Sequence, residues 1–256
     1  MNTAHQLTND ACLLIFDPHQ DKEWVERVIE REGGGVSHLL LGGDYFDAFA
    51  HQRQVSAGEM AAYLLELERD WGDRLTVLLG NHDIPYIEAL PWSREGGTPP
   101  RLVNGCPGWT SECSIEIAGH LTWAFWSGTR LFQSVNGHLI SHAGLARRYW
   151  FGDNATVVKA LHDLDHFTEL AWKYRFTQHL GILGAGQARG GRQATGGITW
   201  QDWDREFRDA LPLPQIVGHT PSPRGARQKG RSWCLDGEKT CYGILHRDGS
   251  LLVRGL

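Results

Sequence analysis

The chain has 256 residues, a length that allows one or two domains. Hydrophobic residues make up 41% of it and charged residues 21%, an ordinary globular balance that argues against intrinsic disorder. The formal net charge is −5 and the sequence contains no basic run, so nothing in it indicates a nucleic-acid-binding surface.

The cysteines and the first residues indicate the compartment. Five cysteines occur, an odd number, and none forms a CxxC pair, which favours reduced thiols in the cytoplasm over a disulfide framework. The N-terminal segment MNTAHQLTND lacks the basic and apolar regions of a signal peptide, and no apolar run reaches the ~18 residues of a membrane span. We therefore expect a cytoplasmic protein with no membrane partner.

The first part of the chain alternates between strand and helix patterns. Short apolar runs predict strands at 11–16, 36–41 and 74–79, and apolar residues at helical spacing predict helices at 21–32 and 56–71. Ser56 and Glu59 have the spacing of a capping box at the start of the second helix. A strand, a helix and a strand at these distances predict βαβ units with parallel strands.

The rest of the chain has more strand than helix patterns. The segment 113–126 predicts a β-hairpin around Gly119-His120, and 155–176 predicts one or two helices. A glycine-rich segment at 184–197 predicts a mobile loop. No linker is recognisable, and we predict a single domain over 1–256. Further strands are predicted at 137–142, 213–218, 231–236, 241–246 and 250–255.

Polar residues directly follow several of these strands. Because ligands bind beyond the carboxyl ends of the strands in parallel α/β sheets, we expect these side chains to converge on one edge. They are Asp17 and His19 after the first strand, Asp44 and Asp47 after the second, Asn81, His82 and Asp83 after the third, and His142 and His219 after two later strands.

These residue types indicate a metal site. Carboxylates, imidazoles and an amide oxygen suit divalent cations such as Mn²⁺, Fe²⁺ and Zn²⁺. Each motif alone is a weak signal, since a lone Gly-Asp is usually a turn and a lone histidine is usually a packed core residue. Five such motifs in order, each at a strand end, predict a shared site. Two cations ~3.5–4 Å apart need a bridging anion, for which one aspartate is sufficient.

The motifs resemble those of the calcineurin-like metallophosphoesterases, which run D-x-H, G-D-x-x-D, G-N-H-[DE], H and G-H-[TX]. Here they are DPH at 17–19, GDYFD at 43–47, GNHD at 80–83, His142 and GHTP at 218–221. The segments SHAGL and VGHTP, with ITW between them, resemble the branch of protein Ser/Thr phosphatases and symmetrical dinucleoside tetraphosphatases. The resemblance implies an α/β fold, a four-layer α-β-β-α sandwich with two mixed β-sheets.

The resemblance also implies a role for each matched residue. Two divalent metal ions would be bound, with Mn²⁺ the expected metal and Fe, Zn or Ni as alternatives. Asp44 would bridge them, His82 would protonate the leaving-group oxygen, and Asp47 would orient His82. The metal ligands would be Asp17, His19, Asp44, Asn81, His142 and His219.

Two departures from the family pattern stand out. The first motif usually reads G-D-x-H-G, and here it is FDPHQ, with Gln20 in place of the last glycine. Ala48 stands where the phosphatase branch usually has an arginine that binds the phosphoryl oxygens. We hypothesise that another arginine replaces it, Arg189, Arg192 or Arg53, since guanidinium groups form bidentate contacts with phosphate.

The sequence therefore predicts a binuclear metal-dependent phosphohydrolase, in which a metal-bridging hydroxide attacks phosphorus directly. The substrate stays open between a phosphoprotein, as in bacterial Ser/Thr phosphatases, and a nucleotide, dinucleoside polyphosphate or other phosphorylated small molecule. A non-catalytic metal-binding scaffold is the alternative from another class. A scaffold, however, would need neither His82 nor Asp47.

Overall fold

The computed structural model describes residues 6–7, 10–48, 55–99, 101–150 and 157–256. Its helices and strands are as follows. The helices are α1 (Lys22–Glu32), α2 (Ala57–Trp71), α3 (Ile84–Ser93), α4 (Ser111–His120), α5 (Trp123–Ser127) and α6 (Val157–Lys173). The strands are β1 (Gln6–Leu7), β2 (Ala11–Ile15), β3 (His38–Leu41), β4 (Leu75–Val77), β5 (Phe132–Val135), β6 (His138–Ser141), β7 (Gln215–Val217), β8 (Arg227–Lys229), β9 (Ser232–Cys234), β10 (Cys241–His246) and β11 (Leu251–Gly255).

The strands form two mixed sheets. One has the order β11-β10-β2-β3-β4, in which β2, β3 and β4 run parallel. The other has the order β1-β5-β6-β7-β9-β8, in which β6, β7 and β9 run parallel. Ile15 pairs with Leu41, and Leu41 pairs with Val77, so the chain leaves three parallel strands at one edge.

Alternation along β2 separates two hydrophobic layers. Cys12 and Leu14 belong to a buried cluster that also contains Ile140 of β6, so this cluster lies between the sheets. Leu13 and Ile15 belong to a second cluster with the buried faces of α1 and α2. Because successive strand residues face opposite sides, β2 is covered on both faces. The predicted α/β fold class, a four-layer α-β-β-α sandwich with two mixed β-sheets, is confirmed.

The helix start predicted at Ser56 is also confirmed. The Ser56 hydroxyl accepts a hydrogen bond from the Glu59 N–H at 3.1 Å, and the Glu59 carboxylate accepts one from the Ser56 N–H at 2.8 Å. This reciprocal pair satisfies two backbone donors that the first turn of a helix leaves without partners. The helix α2 therefore begins where the sequence places it.

The hairpin predicted over 113–126 is wrong, because this segment forms α4 and α5. The Thr110 hydroxyl caps α4 by accepting a hydrogen bond from the Cys113 N–H at 3.1 Å. Ser114, Ile117 and Ala118 are buried at helical spacing. The short pattern CSIEIA fits a strand as well as one face of a helix, and the cap decides in favour of the helix.

Four elements have no counterpart among the predicted ones, namely α3, β1, β5 and β8. The helix α3 begins directly after the GNHD motif, with Pro85 in its first turn, where a missing N–H costs nothing. Within the described ranges, no helix is long and apolar enough to cross a membrane. All five cysteines lie in those ranges and carry free thiols.

Candidate metal centre

The loops after β2 and β3 lie side by side and carry the first acidic residues. The Asp17 N–H donates to the Gly43 carbonyl at 3.2 Å, and the His19 N–H donates to the Asp44 carbonyl at 3.0 Å. These bonds continue the pairing of the two parallel strands beyond their ends. The carboxylates of Asp17 and Asp44 are thereby fixed at the same edge.

Three potential ligand atoms converge on the Nε2 atom of His142. Asn81 Oδ1 lies 3.1 Å from it, His219 Nδ1 lies 3.2 Å from it, and Asp44 Oδ2 lies 3.3 Å from it. His142 Nδ1 donates to the Gly42 carbonyl at 2.9 Å, which leaves the lone pair of the neutral ring on Nε2. Electron-pair donors from four residues therefore face one another, an arrangement that fits a bound cation.

A second group of ligand atoms shares Asp44 with the first. Asp17, His19 and Asp44 each place one ligand atom within 4.8 Å of the other two, as do Asp44, His142 and His219. His19 Nδ1 donates to the Phe46 carbonyl at 2.6 Å, and its Nε2 lies 3.7 Å from Asp44 Oδ2. The Asp44 carboxylate lies between the two groups, as a bridging ligand would.

Burial of the acidic residues requires a compensating positive charge. Asp17 and Asp44 are 5% and 2% exposed, and a buried carboxylate without a compensating charge costs several kcal/mol or more. His219 Nε2 is buried and has no hydrogen-bond partner in the part of the chain that the structure describes. The donor set of carboxylate oxygens, an amide oxygen and imidazole nitrogens therefore fits divalent cations.

The titration behaviour of the histidines follows from the same geometry. Burial alone would raise the pKa of Asp44, but the imidazoles of His142, His82 and His19 lower it well below its usual range. Burial opposes protonation of His142, but the Asp44 carboxylate outweighs it and raises the pKa of His142 to about 9. Burial and the charge of His142 lower the pKa of His219 well below its usual value. A proton on His142 therefore supplies positive charge to Asp44 when no metal does.

Backbone strain is concentrated at these loops. Eleven residues other than glycine have a positive φ in the described ranges, and six of them lie in the predicted motifs or beside them. Such conformations cost about 1–3 kcal/mol each, and they persist where the surrounding structure enforces them. The six are Asp17, His19, Gln20, Asp44, Asp47 and His219.

Two glycines allow the loops to approach each other. Gly43 has φ +94°, and a Cβ atom on it would lie 2.5 Å from the Gly80 nitrogen. A Cβ atom on Gly80 would lie 2.1 Å from Asp44 Oδ1. Both distances are below those of real contacts, so each position requires glycine. The glycines of GDYFD and GNHD are therefore needed for the close packing of the two motifs.

A histidine and a carboxylate form a pair beside the ligand groups. His82 Nδ1 donates to Asp47 Oδ2 at 2.9 Å, and the His82 N–H donates to Asp44 Oδ1 at 2.9 Å. Burial lowers the pKa of His82, but the carboxylates of Asp44 and Asp47 outweigh it and raise this pKa well above its usual value. Tyr86 donates a hydrogen bond from its hydroxyl to the other oxygen of Asp47. The pair has the geometry of a histidine acid oriented by a carboxylate.

Asp83 connects the second and third motifs through backbone contacts. Its carboxylate accepts hydrogen bonds from the N–H groups of Gly80 at 2.7 Å, Asp44 at 2.8 Å and Tyr45 at 3.0 Å. Burial and the charge of Asp44 raise the pKa of Asp83 to about 7. Its oxygens are thus used to fix the loops and not to face the ligand groups.

Sequence reasoning did not identify two residues at this site, Tyr86 and Cys106. The Cys106 sulfur lies 3.2 Å from Asn81 Nδ2 and 3.4 Å from His82 Nδ1. Asn81 Nδ2 donates to this sulfur, which directs Asn81 Oδ1 towards His142. Cys106 lies in a loop rich in proline and glycine, and no motif or periodicity marks it. A helix predicted directly after GNHD would have been the one sequence signal that places Tyr86 close to this motif.

Two of the three candidate arginines lie in the described part of the chain, and their surroundings differ. Arg189 forms an ion pair with Asp202 at 3.0 Å and donates to the Thr220 hydroxyl at 3.0 Å, next to His219. Arg192 is exposed, and Arg53 lies outside the described residues.

The glycine-rich segment that carries Arg189, predicted as a mobile loop, is fastened to the rest of the chain. Glu206 accepts hydrogen bonds from the N–H groups of Ala188 at 3.0 Å and Gly196 at 2.7 Å. The Gly197 N–H donates to the Gly184 carbonyl at 2.9 Å, which closes the segment at its base. These contacts hold Arg189 at the edge of the metal centre.

The structure thus brings together the six residues predicted as metal ligands, and the pair His82 and Asp47 beside them. Their roles as ligands and as an acid pair stay predictions.

Comparisons with known proteins agree with this geometry. A family model described as calcineurin-like phosphoesterase matches residues 16–255. No curated protein matches the sequence. Several solved structures share the fold at low sequence identity.

Three of these structures are similar over almost the whole chain. A cold-active protein-tyrosine phosphatase of a psychrophilic Shewanella species has 14% identity and a TM-score of 0.54, with 99% of this chain and 82% of that chain covered. A protein serine/threonine phosphatase from Saccharomyces cerevisiae has 17% identity and a TM-score of 0.52, with 95% and 78% covered. A putative diadenosine tetraphosphatase has 12% identity and a TM-score of 0.51, with 98% and 96% covered.

Proposed function

Because the chain belongs to the calcineurin-like phosphoesterase family and is a metal-dependent phosphoesterase, we propose that it hydrolyses a phosphoester at a two-metal centre. The main observation in support of this proposal is that Asp44 belongs to two groups of potential ligand atoms and lies beside the His82–Asp47 pair. The proposed ligands are Asp17, His19, Asp44, Asn81, His142 and His219.

The two cations would activate a water molecule for attack on phosphorus and neutralise charge on the transferred phosphoryl group. The chain's own residues prepare this chemistry. The hydrogen bonds from His19 to Phe46 and from His142 to Gly42 fix both rings with Nε2 towards Asp44. Mn²⁺ is the proposed metal, and Fe, Zn or Ni are alternatives, since this ligand set suits several divalent cations.

We assign the general acid to His82. Its Nδ1 is held by Asp47, so Nε2 carries the proton that would pass to the leaving-group oxygen. The carboxylates of Asp44 and Asp47 raise the pKa of His82, which favours the protonated ring that a general acid needs. A scaffold that only binds metal would have no use for this pair. The pair therefore favours a catalyst over the scaffold alternative.

We propose Arg189 as the arginine that binds the phosphoryl oxygens in place of the one missing at Ala48. Arg189 is the candidate whose contacts reach the metal centre, through Thr220 next to His219. Its side chain is 27% exposed and therefore reaches solvent, from which a phosphate would approach. Arg192 is exposed and Arg53 lies outside the described residues, so neither has this support.

The proposed substrates are phosphorylated small molecules, nucleotides, dinucleoside polyphosphates or phosphoproteins, and the proposed compartment is the cytoplasm. A panel of phosphopeptides tested beside nucleotides and dinucleoside polyphosphates, each with Mn²⁺, separates these classes by kcat/KM. A higher kcat/KM for a phosphopeptide would favour a protein phosphatase. A higher kcat/KM for a nucleotide or dinucleoside polyphosphate would favour a hydrolase of those small molecules.

The central test is Asp44→Asn. This change removes the shared negative charge, so we expect loss of both metals and a fall in kcat of more than about a hundredfold on p-nitrophenyl phosphate with Mn²⁺. Metal content measured by inductively coupled plasma mass spectrometry checks the first effect. Asp70→Asn, on the exposed face of α2, is the matched control, and this variant should keep its metal content and its kcat. An Asp44→Asn protein with full metal and full activity would refute the proposal.

The arginine assignment predicts a difference between two variants of one loop. Arg189→Ala removes charge-assisted hydrogen bonds to phosphate, so kcat/KM on p-nitrophenyl phosphate should fall by about tenfold or more. Arg192→Ala, three residues away and exposed, should leave it unchanged. If Arg189→Ala, Arg192→Ala and Arg53→Ala all retain wild-type kcat/KM, the hypothesis of a replacement arginine is wrong.

A further inference from the structure

Gln20 occupies an unusual position directly after His19. Its side chain is completely buried, and its φ of 62° lies in the left-handed region. Glycine adopts this conformation without strain, and a residue with a Cβ atom does not. The strain at Gln20 is therefore offset by the contacts that this residue makes in the folded chain.

Those contacts involve both ends of its amide group. Gln20 Oε1 accepts a hydrogen bond from the Ala48 N–H at 3.2 Å, and Gln20 Nε2 donates to the Val55 carbonyl at 2.8 Å. One partner is a donor and the other an acceptor, so one orientation of the amide satisfies both. The backbone of Gln20 adds two bonds, from its N–H to Tyr45 and from the Val55 N–H to its carbonyl.

The bond to Ala48 acts on the peptide unit that joins Asp47 to Ala48. Asp47 itself has a positive φ of 62°, and its side chain is 1% exposed. Without Gln20 Oε1, the buried Ala48 N–H would lose its partner, which favours rotation of this peptide away from the observed conformation. Tyr86 holds the other oxygen of Asp47, so the tyrosine fixes the carboxylate and Gln20 fixes the backbone that bears it.

We propose that Gln20 is a positioning residue for the general acid. It holds the Asp47–Ala48 peptide so that Asp47 orients the His82 ring, with its Nδ1 2.9 Å from the carboxylate. This inference rests on the proposed function, in which His82 protonates the leaving-group oxygen. It gives a physical reason for glutamine where the related motif has glycine.

A leaving-group comparison tests the proposal. A general acid matters most when the leaving oxygen is basic, so the variants are assayed on phenyl phosphate and on 2,4-dinitrophenyl phosphate with Mn²⁺. For Gln20→Gly, we expect kcat to fall by about tenfold on phenyl phosphate and by less than about twofold on dinitrophenyl phosphate. The metal content stays that of the wild type. A merely structural role would lower both rates together.

Gln20→Glu is the second variant and keeps the size of the side chain. It retains an acceptor for the Ala48 N–H but places an oxygen against the Val55 carbonyl, so the selective loss on phenyl phosphate should be smaller than for Gln20→Gly. An equal or larger selective loss would contradict the inference that the hydrogen bond to the Ala48 N–H positions Asp47. Gln20→Gly suits the left-handed backbone, which keeps the comparison free of added strain.

Two controls separate this inference from the proposed function. His82→Ala must itself show the selective loss on phenyl phosphate; if it lowers both rates equally, His82 is not the acid and the proposed function fails in that part. If His82→Ala is selective and Gln20→Gly is not, the role of Gln20 is refuted.

The double variant Asp47→Asn with Gln20→Gly is the second control. Its kcat on phenyl phosphate should fall no further than that of Asp47→Asn alone, because both changes act on the same His82 ring. Additive losses would overturn the proposal.

Discussion

At the scale of residues, the candidate metal centre is assembled from side chains on strained backbone. Asp17, Asp44 and His219 all have positive φ values, and each offers an atom that could bind a metal. The loops maintain this conformation through the carboxylate of Asp83 and the close approach of two glycines. The strain is thus part of how the ligands converge.

The close approach predicts a severe effect of Gly80→Ala. The added Cβ atom would lie 2.1 Å from Asp44 Oδ1, so the carboxylate must move and both groups of ligand atoms are disturbed. We expect reduced metal content and a loss of activity on p-nitrophenyl phosphate of about tenfold to a hundredfold.

Gly119→Ala in α4 is the matched control, because a Cβ atom there meets nothing within 4 Å. It should raise the free energy of unfolding by up to about 1 kcal/mol, since alanine is the better helix former. A Gly80→Ala protein with full metal would contradict this argument.

The sequence is informative about some site residues and silent about others. Asp44, Asn81 and His142 could be predicted as neighbours because each follows a strand within a few residues, and strand ends meet at one edge. Cys106 could not be predicted, because its contacts with Asn81 and His82 depend on the path of a long irregular loop. No local pattern encodes that path.

At the scale of elements, periodicity is decisive where a segment is long or capped. The helix α2 could be predicted because its apolar stripe extends over four turns and its capping box is explicit. The segment of α4 is short, and its alternation of apolar residues fits both periods. Only the cap at Thr110, which depends on the local backbone conformation, distinguishes them. Short elements such as β5 and β8 lack both length and caps.

Packing between β3 and β4 predicts a pH dependence of stability. His38 of β3 is buried, with Nε2 2.8 Å from the Thr76 hydroxyl of β4. Burial, with the charge of Arg74, lowers the pKa of His38 to about 4. The unfolded chain, with a histidine pKa of about 6.5, therefore binds more protons than the folded chain between these values, and stability falls as the pH falls through this window.

The corresponding variant is His38→Gln, which removes the titrating group. Between about pH 7 and pH 5, the free energy of unfolding of the wild type should fall by about 2 kcal/mol more than that of the variant. Urea denaturation followed by circular dichroism measures both. Phosphatase activity should be retained, because His38 begins the strand whose opposite end leads to Asp44. Identical pH profiles for the two proteins would show that His38 titrates normally.

At the scale of the whole molecule, the candidate metal centre combines residues from both sheets. Asp17 and Asp44 follow strands of the five-stranded sheet, and His142 and His219 follow strands of the six-stranded sheet. The sequence indicates the individual strands but not which of them are neighbours. The strand β10 pairs with β2 in antiparallel orientation, although the two are far apart in sequence. This pairing is visible only in the structure. The convergence of the motifs could be predicted because each follows a strand end, but the neighbouring strands within each sheet could not.

Because the proposed ligands come from both sheets, bound metal should stabilise the fold in a pH-dependent way. A cation that binds only the folded chain stabilises it in proportion to the logarithm of its affinity. His142 must be neutral to be a ligand, and its pKa in the metal-free protein is raised to about 9. Binding below that pH therefore releases a proton, and affinity rises with pH, by up to about tenfold per unit.

The measurement is the increase in Tm on adding Mn²⁺ to chelator-treated protein, by differential scanning fluorimetry at about pH 6 and about pH 8. The increase should be larger at the higher pH, equivalent to up to about 2.7 kcal/mol of extra stabilisation for a hundredfold gain in affinity. Asp44→Asn should show no increase at either pH. An equal increase at both values would mean that His142 is already neutral before the metal binds. In that case the neighbouring His82 would be the charge that compensates Asp44, and His142 would contribute to the centre only as a ligand.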